Sequence, residues 1–265
     1  MKNPKSKSKP TRIDTNHWHH VASSSGKKSQ HYGYKYYSSA AEKKNAEFRQ
    51  HHSNHPEDAR VVPTLDRVMY QENAFTEEEC KKILSYRTES MRKDGKIQKS
   101  DNTVNMGKDQ KFVDDFEYRQ TTLYIPQEQK SAEWIMRKIL NIVNAANSMK
   151  DAWNFDIRGI IEIPNIMEYT EGPLHESGID GHYGFHIDIG PGRVPSMRKI
   201  AYSVILNDDF DGGKLNIKLG RQNHYPPQKK GGIIMFPSYM LHCVEPVTKG
   251  SRCTVVGWIH GPSFL

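Results

Sequence analysis

The stretch that decides the fold reads Gly232-Ile-Ile-Met-Phe-Pro-Ser-Tyr-Met-Leu-His242, then Cys243-Val-Glu-Pro-Val-Thr-Lys-Gly250, then Ser251-Arg-Cys-Thr-Val-Val-Gly-Trp-Ile259. The first part is an apolar strand that ends at a proline and is followed by a histidine. A turn containing Pro and Gly comes next, and a second strand follows it. Because successive strand residues point to opposite faces, the even-numbered residues from Arg252 to Trp258 share one face. A hairpin that folds back at Thr248–Gly250 is expected to bring His242 near Arg252.

Short runs of β-type composition fill the second half of the chain, from about Phe155 onward. They are separated by Gly, Pro, Asn and Asp, and several short strands at this spacing are typical of a β-sandwich or β-barrel. The predicted strands are Ile157–Ile163, Tyr183–Ile189, Ile200–Leu206, Leu215–Leu219, Ile233–Phe236 and Arg252–Ile259.

Two helices are predicted before these strands. Thr76-Glu-Glu-Glu79 is a capping box, in which the Thr76 hydroxyl caps the helix and Glu79 reaches back. A second helix is expected to begin at Ser131, and an apolar stripe at helical spacing runs from Trp134 to Ala146. Helices followed by strands predict an α+β, mainly β fold with the helices packed on one side of a β core.

A candidate metal site lies in the run Tyr183-Gly-Phe-His-Ile-Asp-Ile189. In a strand, His186 and Asp188 point the same way, so a nitrogen and a carboxylate can reach one ion. With His242 as a third ligand they would form a facial triad that leaves iron positions open. One His-x-Asp motif is about what chance predicts for this composition, so the prediction of a metal site depends mainly on the third ligand. A zinc hydrolase could use the same three residues, but Arg252 would then have no role.

Arg252 indicates which kind of small molecule could bind in the same cleft. An arginine that points into a β core needs an anionic partner, because a buried unpaired charge is costly. Its planar guanidinium suits a carboxylate, with which it bonds through two nitrogens. A small dianion with one chelating end therefore fits between the metal and Arg252.

The basic charge belongs to the N-terminus. Residues 1–60 contain twelve Lys/Arg and five Asp/Glu, which accounts for the whole net charge of +7. This segment nearly lacks Ile, Leu and Val, so we expect a disordered basic tail (1–60) before one domain (61–265). The aromatic and basic run His31–Tyr37 suits single-stranded nucleic acid. The competing interpretation is a solvated tail with no dedicated partner.

The rest of the composition indicates where in the cell the protein is expected. No run approaches the roughly 18 apolar residues of a membrane helix, and the N-terminus lacks the apolar segment of a secretory signal. The three cysteines, without such a signal, suggest reduced thiols. We therefore expect a cytoplasmic protein with no membrane partner.

The chain resembles the prolyl-4-hydroxylase-like Fe(II)/2-oxoglutarate-dependent dioxygenases, to which PKHD-type hydroxylases are related. The resemblance covers roughly residues 62–265. The segments that carry it are Phe155-Asp-Ile-Arg-Gly159, Gly181-His-Tyr-Gly-Phe-His-Ile-Asp188, Arg198-Lys-Ile200, Leu206-Asn207, Gly212-Gly-Lys-Leu215 and the stretch from Phe236-Pro-Ser to Trp258-Ile-His-Gly-Pro262.

The resemblance implies a double-stranded β-helix, or jelly roll, with His186, Asp188 and His242 as Fe(II) ligands. Arg252 matches the basic residue that binds the distal carboxylate of 2-oxoglutarate, and Thr254 and Trp258 match an assisting hydroxyl and an aromatic wall. Tyr169 and Tyr183 match tyrosines that border the co-substrate pocket. Oxygen and 2-oxoglutarate would be co-substrates, ascorbate is a further candidate cofactor, and no catalytic residue is expected beyond the metal ligands.

The substrate stays open at this point. A protein or peptide side chain, as in prolyl hydroxylases, is the first expectation, and nucleic acid or a small molecule hydroxylated by the same mechanism is the alternative. From a different class, the chain could be a non-catalytic β-barrel binding module. The presence of all three ligands together with Arg252 argues against that interpretation.

Overall fold

A computed structural model of the protein describes residues 18–22, 66–95, 97–99, 111–113, 118–126, 129–149 and 152–264. Apart from Trp18–Ala22, the basic tail predicted for residues 1–60 lies outside the described residues. The structure therefore does not test the predicted disorder of this tail or its predicted binding of nucleic acid. Of the two helices in the described ranges, neither combines the length and the apolar character needed to cross a bilayer.

Two antiparallel sheets face each other and form the core of the domain. The larger has eight strands in the order β1-β2-β14-β10-β17-β8-β7-β3, and the smaller has five in the order β13-β12-β15-β9-β6. Two strand pairs, β4-β5 and β11-β16, stand outside these sheets. The strands are β1 Trp18–Ala22, β2 Val68–Gln71, β3 Arg92–Asp94, β4 Ile97–Lys99, β5 Lys111–Val113, β6 Arg119–Gln120, β7 Thr122–Tyr124, β8 Asn165–Thr170, β9 His182–His186, β10 Arg198–Ile205, β11 Asp211–Gly212, β12 Leu215–Leu219, β13 Gln222–His224, β14 Ile233–Pro237, β15 His242–Val244, β16 Val247–Lys249 and β17 Ser251–His260.

The two helices, α1 Glu77–Leu84 and α2 Gln129–Asn147, cover the outer face of the larger sheet. The predicted capping box begins α1: the Glu79 N–H donates to the Thr76 hydroxyl at 3.2 Å, and the Thr76 N–H donates to the Glu79 carboxylate at 2.7 Å. The apolar stripe of α2 packs with Val255 and Ile259 of β17. The predicted α+β, mainly β class with helices on one side is confirmed.

Alternation along β10 and β17 separates two apolar layers. Tyr202 and Val204 face the helices, whereas Ala201 and Ile205 face the smaller sheet, where they meet residues such as Leu215. A central strand with helices on one face and a second sheet on the other is buried on both faces, and β10 is almost wholly buried. The space between the two sheets is where the candidate site lies.

Three local predictions were wrong. The run Ile157–Ile163 is not a strand, because Gly159 adopts a φ of 137° and the segment makes only an isolated bridge with His260. The strand predicted to reach Ile189 ends at His186, and α2 begins at Gln129, two residues before Ser131. Sequence patterning also missed β8, which supplies the neighbour of β17 in the larger sheet.

Candidate metal and co-substrate site

The structure brings the three predicted metal ligands together on the smaller sheet. His186 ends β9 and His242 begins β15, and the two residues are direct partners in the antiparallel pairing. Asp188 lies just beyond β9, where its N–H donates to the Ser238 carbonyl at 2.8 Å. The predicted extension of the strand to Ile189 is therefore replaced by a bend, and the bend still directs the carboxylate toward the two imidazoles.

The ligand atoms have a convergent arrangement. The Nε2 atom of His186 lies 3.8 Å from Oδ1 of Asp188, and that of His242 lies 3.5 Å from Oδ2. Each imidazole donates its Nδ1–H to the main-chain carbonyl two residues earlier, that of Gly184 at 2.8 Å and that of Met240 at 2.9 Å. These bonds leave Nε2 of each ring with its lone pair directed at the shared space.

Burial sets the charge state of the first histidine. Burial, reinforced by the neighbouring His242 ring 4.2 Å away, lowers the pKa of His186 to about 3. The imidazole is therefore neutral at physiological pH, which is the form that binds a metal ion. Candidate ligand atoms of His186, Asp188 and His242 all lie within 4.8 Å of one another.

This donor set fits a divalent transition metal. Two imidazoles and one carboxylate form the set that binds non-haem iron on one face and leaves the remaining positions open. The Asp188 carboxylate is buried, and its nearest charged or ionisable partners in the described part of the chain are the two histidines. A cation between the three groups would neutralise a carboxylate that is otherwise buried without a full positive charge.

The ligands open onto a cavity of about 290 Å³ between the two sheets. The larger sheet contributes the even-numbered residues Arg252, Val256 and Trp258 of β17, together with Ala201 and Ser203 of β10. The predicted face of β17 therefore looks into the site, as alternation requires. Ile187, which is 46% exposed, lies at the rim of the same cavity.

Arg252 is a fully buried cation in this cavity, with 1% of its surface exposed. Its Nε and Nη2 atoms donate to the Gln228 side-chain oxygen at 3.2 and 3.1 Å, and within the described ranges it forms no ion pair with a carboxylate. Burial lowers the pKa of the guanidinium, which nevertheless keeps its charge at neutral pH. A buried guanidinium whose hydrogen bonds within the described ranges go to one amide oxygen is suited to receive an anion.

The other predicted co-substrate residues divide into two groups. Tyr169 is the direct cross-strand partner of Arg252, and the guanidinium lies 5.5 Å from its ring centroid. Tyr169, Tyr183 and Trp258 line the cavity. Thr254 lies on the predicted face and is fully buried, but it is not among the residues that line the cavity. Ser203 lines the cavity on this side, and its buried hydroxyl has no hydrogen-bond partner in the described part of the chain.

Arg198 connects the metal ligands to the aromatic wall. It donates two hydrogen bonds to Glu162 at 2.5 and 2.7 Å and a third to the main-chain carbonyl of Asp188 at 2.9 Å. Its guanidinium lies 3.5 Å from the ring centroid of Trp258. Burial opposes ionisation of Glu162, but hydrogen bonds from Arg198 and His260 outweigh it and lower the pKa of Glu162 to about 2.

The cavity residues that sequence reasoning did not assign to the site include Arg119, Arg198 and Ser203. Arg119 belongs to a two-residue strand, which has too little periodicity to be recognised from its sequence. Arg198 and Ser203 could have been recognised, because Ser203 belongs to the predicted strand Ile200–Leu206 and Arg198 lies just before it. Alternation fixed which residues of that strand share a face but did not show which face meets the metal.

Comparison with known proteins finds a family model that matches the segment containing these residues. Residues 172–260 match the family model of the 2OG-Fe(II) oxygenase superfamily. This match contains all three candidate metal ligands and Arg252, and it confirms the resemblance to Fe(II)/2-oxoglutarate dioxygenases over that segment. The cofactor and co-substrates that this family implies are Fe(II), 2-oxoglutarate and O2.

Two relatives are similar to this chain in sequence, and one solved structure is similar to it in fold. A PKHD-type hydroxylase from Synechococcus sp. (strain CC9902) is 34% identical over 88 residues, 32% of this chain and 39% of the relative. A second, from Sphingopyxis alaskensis, is 30% identical over 123 residues, 44% and 53% of the two chains. The chain thus spans about half the length of these relatives or less. A prolyl hydroxylase from Trichoplax adhaerens, solved with a peptide fragment of the hypoxia inducible factor oxygen degradation domain, is 15% identical. It has a TM-score of 0.55 over 73% of this chain and 83% of its own, a likeness of fold.

Proposed function

We propose that this protein is an Fe(II)- and 2-oxoglutarate-dependent oxygenase that hydroxylates a C–H bond. The observation that carries the proposal is one cavity with two unlike ends. The convergent ligand atoms of His186, Asp188 and His242 form one end, and the buried guanidinium of Arg252 is the cation at the other. A ligand with a metal-chelating end and a distal carboxylate is the chemistry that both ends accept together.

The chain's own groups would hold the reactants in a fixed arrangement. The two Nε2 atoms and the Asp188 carboxylate would bind the iron, and Arg252, supported by Gln228, would bind the distal carboxylate of 2-oxoglutarate. When bound, the iron would couple O2 and the decarboxylation of 2-oxoglutarate, which gives succinate and CO2, to hydroxylation of the substrate. The apolar walls from Val256 and Phe236 would exclude water from this space.

We further propose that the substrate is a side chain of a protein or peptide. Ile187 is exposed at the cavity rim next to the metal ligands, so an incoming side chain would meet an apolar surface there. The structurally similar protein from Trichoplax adhaerens was solved with a bound peptide fragment, which agrees with a peptide substrate. Nucleic acid remains a prediction tied to the N-terminal tail, and a cytoplasmic location likewise remains a prediction.

The reaction class is tested by adding Fe(II) and 2-oxoglutarate under anaerobic conditions, then O2, and measuring succinate. We expect succinate that depends on both iron and O2, even without a substrate, at a slow uncoupled rate. His186→Ala should abolish it, whereas Arg137→Ala, on the exposed face of α2, should not. Equal succinate from the wild type and His186→Ala would contradict the proposal.

The substrate class is tested separately by incubating the active enzyme with a peptide library and with single-stranded oligonucleotides. A mass increase of one oxygen atom on peptides alone supports the protein-directed proposal. Oxidation of the oligonucleotides alone would overturn it. Deletion of residues 1–58 tests whether the tail recruits nucleic acid. If salt-dependent binding of nucleic acid is unchanged by the deletion, the tail does not have that role.

A further inference from the structure

Tyr183 lies between an arginine and a metal ligand. Its ring stacks on the His186 imidazole with centroids 3.7 Å apart and an angle of 20° between the planes. The Arg119 guanidinium lies 4.3 Å from the centroid of the same ring. An imidazole stacked this closely covers one whole face of the phenol ring, so the guanidinium occupies the other. The three groups form a layered stack that ends at the metal site.

An irregularity in β9 makes this stack possible. His242 pairs with His186, and Val244 pairs with Tyr183, so two steps along β15 correspond to three along β9. One extra residue in β9 is a β-bulge, and it places Tyr183 and His186 on the same face although they are three residues apart. Regular alternation would have put them on opposite faces. Arg119 is the cross-strand partner of Tyr183 on β6, which brings its side chain to the same face.

The bulge also explains why the imidazole needs a second support. The Nδ1 bond of His186 is accepted by Gly184, a residue within the bulge itself. A Cβ at Gly184 would lie 2.7 Å from the Tyr118 ring, so the close approach of Tyr118 requires glycine there. One hydrogen bond to a bulged strand fixes a single point of the ring but leaves its plane free to tilt. Contact with the full face of Tyr183 fixes the plane.

We propose that Arg119 is a positioning residue for the metal ligand His186 and acts through the ring of Tyr183. The guanidinium holds the phenol ring against the imidazole, and the imidazole plane then keeps Nε2 directed at the metal. This inference rests on the proposed function, because it gives His186 the role of a metal ligand. It assigns Tyr183 a structural contact with the metal site that is separate from its predicted place beside the co-substrate.

Electrostatics and positioning predict effects of opposite sign. A guanidinium near the metal repels a cation, so its removal should strengthen metal binding if charge were its main contribution. If positioning dominates, its removal should weaken metal binding although a repulsive charge has gone. Changes in residues that orient metal ligands typically reduce metal affinity or activity about 10- to 100-fold.

The test is titration of the full-length protein with Mn(II) alone, with free Mn(II) followed by electron paramagnetic resonance, so that no turnover is needed. We expect Arg119→Met to weaken binding about tenfold and Arg119→Lys to recover part of the loss. Tyr183→Phe, which keeps the ring, should bind like the wild type, whereas Tyr183→Leu should behave like Arg119→Met. Arg137→Met, at an exposed arginine on α2, is the matched control.

Unchanged or tighter Mn(II) binding by Arg119→Met, with His186→Ala binding poorly, would overturn this inference and leave the proposed function standing. If circular dichroism shows that Arg119→Met does not fold, the comparison of Tyr183→Phe with Tyr183→Leu decides, and equal affinities there would overturn it. If His186→Ala binds Mn(II) as tightly as the wild type, the proposed metal site is wrong, and the proposed function is wrong with it.

Discussion

His186 and His242 are direct partners across two antiparallel strands, and their ring centroids lie 4.2 Å apart. Residues 56 positions apart in the chain are thus held in one place by the main-chain pairing of β9 and β15. Asp188 joins them from the bend that follows β9, where its main-chain N–H donates to the carbonyl of Ser238. The candidate metal site therefore depends on the register of these two strands, and the opposing sheet forms the far wall of the cavity beside it.

Gly213 is expected to control the position of Arg252. It has a φ of 56°, and a Cβ there would lie 2.9 Å from Cδ of Arg252 and 2.8 Å from a methyl group of Val247. Gly213→Ala should therefore displace the arginine stem and weaken 2-oxoglutarate binding, while Mn(II) binding stays unchanged. Gly220→Ala is the matched control, because Gly220 has a φ of 62° but nothing within 4 Å of an added Cβ. Equal 2-oxoglutarate affinities of the two variants, measured by calorimetry, would contradict the prediction.

Ser203 is expected to donate its hydroxyl to a bound ligand. The residue is buried on the cavity wall, and its hydroxyl has no partner in the part of the chain that the structure describes. An unsatisfied buried hydroxyl costs about 1–3 kcal/mol, so Ser203→Ala should leave the thermal midpoint of the free protein unchanged or raise it. The same variant should weaken binding of 2-oxoglutarate or of the substrate. A lower midpoint with unchanged binding would show that the hydroxyl has a structural role instead; Ser263→Ala, at an exposed serine, is the control.

Glu162 is expected to make stability depend on pH. Its pKa is lowered to about 2 by Arg198 and His260, so folding favours the ionised form. A carboxyl with a lowered folded-state pKa contributes stability above its unfolded-state pKa, and this contribution disappears as pH falls through the folded-state value. Glu162→Gln should therefore lower the free energy of unfolding by about 2–3 kcal/mol at pH 7.

The difference between the wild type and Glu162→Gln should shrink as the pH falls from about 4.5 toward 2, and urea unfolding at several pH values measures it. Glu133→Gln is the control, since Glu133 forms an exposed pair with Arg137 that is worth little. A difference of constant size between pH 7 and pH 3 would contradict the assignment of the low pKa.

Much of the fold follows from local sequence. The capping box at Thr76 fixes the start of α1, and Leu215–Leu219 was predicted with the observed bounds. Alternation on β17 placed Arg252 and Trp258 on the cavity face. These predictions succeed because the governing interactions lie within a few residues of one another or follow from strict alternation.

The remaining features depend on contacts between distant segments. Residues Ile157–Ile163 have strand-like composition, yet Glu162 within them is bound by Arg198 and His260, and Ile161 and Ile163 remain exposed. The bulge in β9 changes the alternation that sequence reasoning assumes, so the stacking of Tyr183 on His186 could not be foreseen. Arg119 enters the site only through pairing with β9, and no local pattern signals that pairing.

The proposed function requires one ligand to span the metal and Arg252, and calorimetry on Mn(II)-loaded protein tests this by comparing three ligands. Those ligands are 2-oxoglutarate, 2-oxopentanoate without the distal carboxylate, and glutarate without the ketone. The wild type should prefer 2-oxoglutarate to both. Arg252→Met should lose about 10- to 100-fold of the preference over 2-oxopentanoate, since charge-assisted hydrogen bonds contribute about 1.5–3 kcal/mol. His242→Ala should lose the preference over glutarate. Retention of the full preference over 2-oxopentanoate by Arg252→Met would contradict the account.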